Sequence, residues 1–366
     1  MDSRERTFLA LDHQEPDRVP LDLWMSNGFR NKLRAETEML PEAFLDENDV
    51  DLRYLPGPRY IGPPLRRYED GSEEDIWGVR RTPSLVPVPG GEELYMEVAV
   101  SPLAEATRME DITAYPGWPS PDWFEYTEIA EQCRQIRDQG RVAVFMGDRL
   151  NRVAQLKPAM YLRGVEQILA DLALAPELAA AVIRRVREFY LKYAERIFDA
   201  AAGQLDLLLM GDDFGSQSGP LVSPAMWKQY LQQGFAQFID LAHSYGVRVM
   251  HHTCGAVRPL IPLFIDSGLD VLQSLQPEAA GMDAAVLKHE FGGRITFHGG
   301  LSIQQTLPFG STDEVRTEVR DKIRALASGG GYILGTAHNL QADVPLANAR
   351  AMLAAHREFG AYPVEA

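Results

Sequence analysis

His252 and Cys254 are the residues whose types and spacing most directly indicate chemistry. They stand two positions apart at the end of an apolar run over 247–251. Imidazole and thiolate are donors that suit zinc, and two such donors at a strand end can point at one ion. His338, after a later apolar run, is the candidate third donor. The alternative is a core histidine beside a buried structural cysteine, and the spacing alone leaves both open.

Two adjacent carboxylates, Asp212 and Asp213, follow another apolar run. Paired carboxylates in a low-dielectric site can have their pKa values pushed apart, which suits proton transfer or stabilisation of a cation. In the alternative, one aspartate caps the loop and the other is solvated. His298 and Asp148 also follow apolar runs, and each is a candidate for orienting a carboxylate or hydroxyl of a substrate.

Short apolar runs alternate with amphipathic helical stretches along the chain, which indicates parallel strands joined by helices. The predicted strands are 19–24, 49–54, 142–146, 206–210, 247–251, 271–275, 295–298 and 332–334. Eight such strands in 366 residues predict a (β/α)8 TIM barrel, whose active site lies at the carboxyl ends of the strands. An open doubly wound sheet would need a glycine-rich phosphate-binding turn, which the sequence lacks.

A segment between the second and third predicted strands has alternating patterns on either side of Pro87-Val-Pro-Gly-Gly. It predicts a β-hairpin inserted into the barrel at about 74–100. No linker or repeat divides the chain, so we expect a single domain over 1–366. Long loops of compact domains usually serve in binding, and we therefore expect the hairpin near the barrel mouth or at a subunit contact.

Composition narrows the classes of partner. The formal net charge is −16, the wrong sign for a surface that follows phosphates, so nucleic acid is not an expected partner. Apolar runs are too short to cross a membrane and the first residues lack the apolar core of a signal peptide, so we expect a cytoplasmic protein. With two cysteines, a disulfide framework is not expected.

Several longer stretches resemble the uroporphyrinogen decarboxylase superfamily, closest in pattern to its zinc-dependent corrinoid methyltransferase branch. These stretches are Pro16-Asp-Arg-Val-Pro, Gly71-Ser-Glu-Glu-Asp-Ile-Trp-Gly-Val, Gly211-Asp-Asp-Phe-Gly-Ser-Gln, His252-Thr-Cys-Gly, Gln276-Pro-Glu-Ala-Ala-Gly-Met-Asp, Phe297-His-Gly-Gly and His338-Asn-Leu-Gln-Ala-Asp-Val-Pro. The resemblance implies a (β/α)8 barrel. In the methyltransferase branch it also implies zinc held by a His-x-Cys pair and a late cysteine. His252 and Cys254 match the pair, and His338 stands at the late position, where it gives a less electron-rich metal than a second thiolate would.

The decarboxylase branch carries an N-terminal Arg-Gln-Ala-Gly-Arg segment and a Phe-Ser-Asp motif that bind the porphyrin. At the corresponding places this chain has Trp24-Met-Ser-Asn-Gly-Phe-Arg and Asp51-Leu-Arg-Tyr. A substrate with many carboxylates needs several cationic partners. Decarboxylation of uroporphyrinogen is therefore not expected.

The leading hypothesis is a zinc-dependent methyltransferase that moves a methyl group between a small methylated or methoxylated substrate and the corrinoid of a partner protein. Asp212 or Asp213 would supply a proton or balance charge, beside His298. Candidate substrate-binding residues are Trp24, Asp148, Gln217, Gln276 and Gln341. One alternative is a decarboxylase of a small acid with Asp212 as proton donor, and another is a non-catalytic barrel that binds a ligand or corrinoid. A homodimer is a further possibility that the sequence leaves open.

Overall fold

The computed structural model describes residues 1–147 and 152–364. The strands in these residues are β1 (Leu52–Tyr54), β2 (Arg59–Tyr60), β3 (Glu73–Glu74), β4 (Arg80–Val88), β5 (Gly91–Val100), β6 (Phe124–Glu125), β7 (Val142–Phe145), β8 (Leu207–Gly211), β9 (Arg248–His252), β10 (Val271–Leu275), β11 (Thr296–Leu301) and β12 (Tyr332–Thr336).

The α-helices in the same residues lie mostly between the strands of the barrel. They are α1 (Ser3–Leu11), α2 (Asn27–Thr37), α3 (Pro41–Glu47), α4 (Met109–Thr113), α5 (Ile129–Asp138), α6 (Leu156–Arg163), α7 (Val165–Leu174), α8 (Pro176–Ala201), α9 (Pro224–Tyr230), α10 (Gln232–Ser244), α11 (Ile261–Asp266), α12 (Ala284–Phe291), α13 (Thr306–Phe309), α14 (Thr312–Leu326) and α15 (Leu346–Phe359). No helix of the described chain is long and apolar enough to cross a membrane.

Seven strands form one curled parallel sheet in the order β1-β7-β8-β9-β10-β11-β12. Strands β7, β8, β10, β11 and β12 are buried along their whole length, because helices cover the outside and apolar side chains fill the inside. The predicted (β/α)8 fold is confirmed, and β10 has the predicted bounds.

The predicted first strand, 19–24, differs from expectation because it is an extended segment rather than a continuous strand. It lies beside β12, where Leu21 forms an isolated parallel bridge with Leu334, and the N–H of Asp51 donates to the Leu21 carbonyl at 2.9 Å. Pro20 has no N–H to donate, which removes one bond from any regular ladder. The segment nevertheless occupies the eighth position of the barrel.

Side-chain alternation along β9 separates a structural histidine from a site histidine. Met250 points into the barrel, where it packs with Leu209 and Ile333. His251 points outward, and its ring lies 4.8 Å from that of Phe235. His252 therefore returns to the barrel interior, one layer above Met250 and toward the carboxyl ends of the strands.

The hairpin lies over 80–100, where β4 and β5 pair antiparallel and Val88 is opposite Gly91. Gly90 turns the chain with a φ of +81°, a conformation that favours glycine. The Glu93 carboxylate accepts hydrogen bonds from the Ser26 hydroxyl at 2.6 Å and the Ala342 N–H at 2.7 Å. Both partners follow the carboxyl ends of their barrel segments, so the hairpin packs beside the barrel mouth.

Candidate metal centre

His252, Cys254 and His338 come together at the barrel mouth, and each offers a ligand atom within 4.8 Å of the others. The Cys254 Sγ lies 3.5 Å from the His252 Nε2. A tetrahedral zinc ion, bonded to sulfur at about 2.3 Å and to nitrogen at about 2.0 Å, separates two such donors by about 3.5 Å. The donor types and their spacing therefore fit a zinc ion.

Gln273 fixes the orientation of the His252 ring. The His252 Nδ1 lies 2.6 Å from the Gln273 Oε1, which can only accept, so Nδ1 carries the hydrogen. The Nε2 lone pair then faces Cys254, as metal ligation requires. Burial, and after it the charge of Arg152, lowers the pKa of His252 well below its ordinary value, which keeps the imidazole neutral.

His338 is oriented by its neighbour in sequence. Its Nδ1 is hydrogen-bonded to the side-chain oxygen of Asn339, which leaves Nε2 for a ligand. The His338 and His252 ring centroids are 5.4 Å apart. Trp24 packs against both rings, with centroids 5.6 Å from His252 and 6.4 Å from His338. The indole thus forms one wall of the donor cluster.

The loop that carries Cys254 is held by two side chains. Its own N–H donates to the Asp213 Oδ1 at 3.1 Å, and the Gly255 N–H donates to the Gln276 Oε1 at 3.0 Å. Gly255 has a φ of +84°, and a Cβ there would lie 2.5 Å from the Ser216 carbonyl oxygen. Burial, followed by the charge of Asp213, raises the pKa of Cys254 to about 12. A bound cation would oppose both effects and favour the thiolate.

Asp213 and Lys157 form an ion pair beside the donors. The Asp213 Oδ1 lies 3.7 Å from the His252 Nε2. Burial favours the neutral acid, but the charge of Lys157 and the hydrogen bonds from Lys157 and the Cys254 N–H outweigh it, so the pKa of Asp213 lies well below its usual range. A carboxylate and an ammonium group therefore stand next to the donor cluster.

Asp212 has a different environment from its neighbour. Its carboxylate accepts the N–H groups of Gln155 at 2.7 Å, Leu156 at 3.1 Å and Lys157 at 2.6 Å, and so caps the start of α6. Burial raises its pKa to about 6, and the three N–H groups limit the rise. The Asp212 carboxylate is therefore bonded to the start of α6 and not to the donor cluster, while Asp213 is ion-paired rather than solvated.

His298 belongs to the same inward layer, since Gln273 pairs in register with His252 on one side and His298 on the other. The His298 Nε2 lies 2.9 Å from the Asp22 Oδ2, which also accepts the Tyr54 hydroxyl at 2.6 Å. The His298 Nδ1 is buried without a hydrogen-bond partner. His298 is thus linked through Asp22 to Tyr54, and not to the metal donors.

The other predicted substrate-binding residues lie in different places. Gln276 supports the Cys254 loop, as described above. The Gln341 Nε2 donates to the Tyr95 hydroxyl of the hairpin at 2.5 Å, and Gln217 is exposed on the rim. Asp148 lies outside the described residues.

Sequence reasoning gave no site role to three residues that the structure places beside the donors, Gln273, Lys157 and Tyr54. The sequence could have identified Gln273, because it is a polar residue within a predicted apolar strand, two positions before the end of that strand. Lys157 stands on a helix and Tyr54 ends a short strand, and nothing in their local patterns distinguishes them from ordinary surface or packing residues.

A cavity of about 590 Å³ adjoins the donor cluster. Its walls combine the aromatic rings of Trp24 and Tyr54, the thioether of Met146, and the charged groups of Arg152 and Lys157. Arg152 lies over the Trp24 ring, 5.1 Å from its centroid. The cavity can hold a small organic molecule beside His252 and His338.

One solved structure aligns with nearly the whole chain, and others align with about two thirds of it at lower scores. A methyltransferase from Methanosarcina mazei aligns over 98% of this chain and 99% of its own, with 19% identity and a TM-score of 0.66. D-psicose 3-epimerase from Clostridium cellulolyticum H10 aligns over 66% of this chain and 86% of its own, with 8% identity and a TM-score of 0.41. A 3-keto-D-glucoside 4-epimerase from Escherichia coli aligns over 63% of this chain and 94% of its own, with 13% identity and a TM-score of 0.36.

Sequence comparison gives the family. No curated protein matches the chain at a significant level. The family model described as uroporphyrinogen decarboxylase (URO-D) matches residues 103–359, more than half of the chain and all of the strands from β7 to β12. The protein therefore belongs to the uroporphyrinogen decarboxylase family.

Proposed function

We propose that the protein is a zinc-dependent methyltransferase that moves a methyl group between a small methylated or methoxylated substrate and a corrinoid carried by a partner protein. The observation that carries this proposal is the cluster of His252, Cys254 and His338 beside a cavity of substrate size. The description of the Methanosarcina mazei neighbour as a methyltransferase agrees with it.

Zinc at these donors would act as a Lewis acid on a heteroatom of the substrate. The side chains of the protein orient the donors, balance charge and hold the proton. Gln273 holds His252 in the ligating tautomer, and Asp213 keeps the Cys254 loop in place through the Cys254 N–H. Asp213 and Lys157 together balance charge next to the heteroatom and can hold the proton that it gains or loses when the methyl group is transferred. Trp24 and Tyr54 cover the site and limit access of water.

The decarboxylase alternative depends on Asp212 as a proton donor. Three backbone N–H groups occupy that carboxylate, and Asp212 is not among the described residues that line the cavity. A group in this position is poorly suited to giving a proton to a substrate in the cavity. We therefore favour methyl transfer over decarboxylation.

The test is a methyl-transfer assay with free cob(I)alamin in place of the corrinoid protein. Zinc-loaded protein is mixed with methoxylated and methylated small molecules, and formation of methylcobalamin is followed by its absorbance. The proposal expects product with at least one compound class, dependent on zinc and absent in Cys254→Ser. His289→Ala, at an exposed helical histidine, is the control variant and should remain active. Release of carbon dioxide from small acids by metal-free protein, without methyl transfer, would overturn the proposal.

A further inference from the structure

Arg152 reaches into the cavity beside the metal donors. The Gly211 N–H donates to the Val153 carbonyl at 3.0 Å, so the segment that carries Arg152 is bonded to the carboxyl end of β8. A Cβ at Gly211 would lie 2.9 Å from the Arg152 Cδ. Because residue 211 is a glycine, the long arginine side chain has room to pass over the end of β8 and line the cavity.

The indole of Trp24 holds the guanidinium at the cavity wall. The Arg152 Cζ lies over the Trp24 ring at 5.1 Å from its centroid, where the cation and the ring face attract each other. Trp24 also packs against the rings of His252 and His338. The guanidinium and the two imidazole donors therefore share one aromatic neighbour. A guanidinium presents five N–H donors, so it can bind an oxyanion in addition to its other contacts.

The positive charge of Arg152 acts on both sides of the inner cavity. After burial, it is the largest cause of the lowered pKa of His252. Burial and then the charge of Asp22 raise the pKa of Tyr54 well above its ordinary value, and the charge of Arg152 opposes that rise. The guanidinium is therefore near the donor histidine and near the phenol that also lines the cavity.

The charges beside the donors favour an anion in the cavity. Asp213 and Lys157 form an ion pair, so their charges cancel. A zinc ion held by one thiolate and two neutral imidazoles keeps a positive charge. The Arg152 guanidinium adds another in the same cavity, and like charges repel more strongly where water is scarce. An anionic group of a ligand would be attracted to both cations and would remove this repulsion.

We propose that the small substrate is a carboxylate whose anionic group is bound by Arg152. The planar guanidinium matches the two oxygens of a carboxylate, which lysine does not. The rings of Trp24 and Tyr54 and the thioether of Met146 provide apolar walls for the body of the molecule. Because His252 and His338 line the same cavity, the other end of the molecule can reach the donors. That this other end carries the methyl group to be transferred rests on the proposed function.

The test compares the binding of carboxylates with that of their neutral amides. The probes are 3-methoxybenzoate and 3-methoxybenzamide, which have nearly the same shape, and the smaller pair methoxyacetate and 2-methoxyacetamide. Isothermal titration calorimetry on metal-free protein measures each affinity, so that a carboxylate has no zinc to bind. In wild type, at least one carboxylate should bind about tenfold more tightly than its amide, because hydrogen bonds to charged groups are the stronger ones.

Arg152→Met removes the charge and keeps most of the side-chain length. This variant should bind the carboxylate about as weakly as the amide, while its affinity for the amide stays unchanged and shows that the cavity is intact. Thermal unfolding checks the fold, and Arg152→Gln serves in place of Arg152→Met if that variant does not fold. Arg30→Met is the matched control, since Arg30 is an exposed arginine of the same cavity lining, and it should bind both probes like wild type.

Three results would overturn the inference. They are wild-type protein that binds neither carboxylate more tightly than its amide, an undiminished preference in Arg152→Met or Arg152→Gln, and a preference that is lost in Arg30→Met. The assay contains no zinc, so its outcome is separate from that of zinc binding. A protein that binds no zinc but prefers the carboxylate would overturn the proposed function and leave the role of Arg152 standing.

Discussion

The His252 Nδ1 lies 2.6 Å from the Gln273 Oε1, across neighbouring strands β9 and β10. This contact selects the histidine tautomer whose Nε2 faces Cys254, so Gln273 is a positioning residue for the metal donors. Replacing it by methionine keeps the volume and removes the acceptor. Gln273→Met should weaken zinc binding by about 10-fold to 100-fold. Competition with a chromogenic chelator measures the affinity, and Gln273→Glu, which keeps an acceptor oxygen, should restore most of it. Equal affinity in wild type and Gln273→Met would show that the contact does not matter for the metal.

The Asp213–Lys157 ion pair gives a second prediction. Lys157→Met leaves the carboxylate without its cation beside the donor cluster. Methyl transfer should fall by more than about tenfold, and the free energy of unfolding by about 1–3 kcal/mol. Lys228→Met, at an exposed position, is the control and should change neither quantity. Full activity in Lys157→Met would remove this pair from the proposed mechanism.

Asp212 should behave as a structural cap. Asp212→Ala deprives the start of α6 of three hydrogen bonds, and the free energy of unfolding, measured in urea, should fall by about 1–2 kcal/mol. Zinc content should remain near that of wild type, because the carboxylate is bonded to α6 and not to the donors. If stability is unchanged and methyl transfer is lost, Asp212 acts in the reaction and not as a cap.

The burial of His356 leads us to expect that the free energy of unfolding depends on pH. Its Nε2 donates to the Val19 carbonyl at 2.8 Å, and burial, together with the nearby charges of Arg18 and Arg357, lowers its pKa from 6.5 to about 4; Asp51 opposes the shift. Above pH 6.5 neither the folded nor the unfolded chain protonates this ring. Between pH 6.5 and about 4 only the unfolded chain does, so stability decreases as pH falls, by up to about 3 kcal/mol.

His356→Gln keeps an N–H donor for the Val19 carbonyl and removes the titration. Urea unfolding at a series of pH values should therefore give a shallower loss of stability between pH 6.5 and 4 in this variant. His289→Gln, at an exposed position, should follow wild type. Identical pH profiles for His356→Gln and wild type would contradict the assignment.

The sequence predicted the barrel and the clustering of His252, Cys254 and His338 because both depend on local patterns. Alternation along a strand places His252 inside and His251 outside, and polar residues after strands mark the mouth. The tertiary partners were not predictable in this way. That Gln273 faces His252, that Asp212 caps α6 and that Asp22 binds His298 depend on which elements become neighbours. The irregular first segment was missed because carboxylates of Asp22 and Asp51 replace backbone partners, which no periodicity records.

The central claim is tested most directly by zinc analysis of the purified protein. Wild type offered zinc should hold about one ion per chain, with one sulfur and two nitrogen donors from the protein in its X-ray absorption spectrum. His252→Ala, Cys254→Ala and His338→Ala should each lose the ion and keep the fold, and His289→Ala should bind like wild type. A wild-type protein that stays empty in the presence of zinc, or three variants that still bind one ion each, would contradict the metal centre on which the account rests.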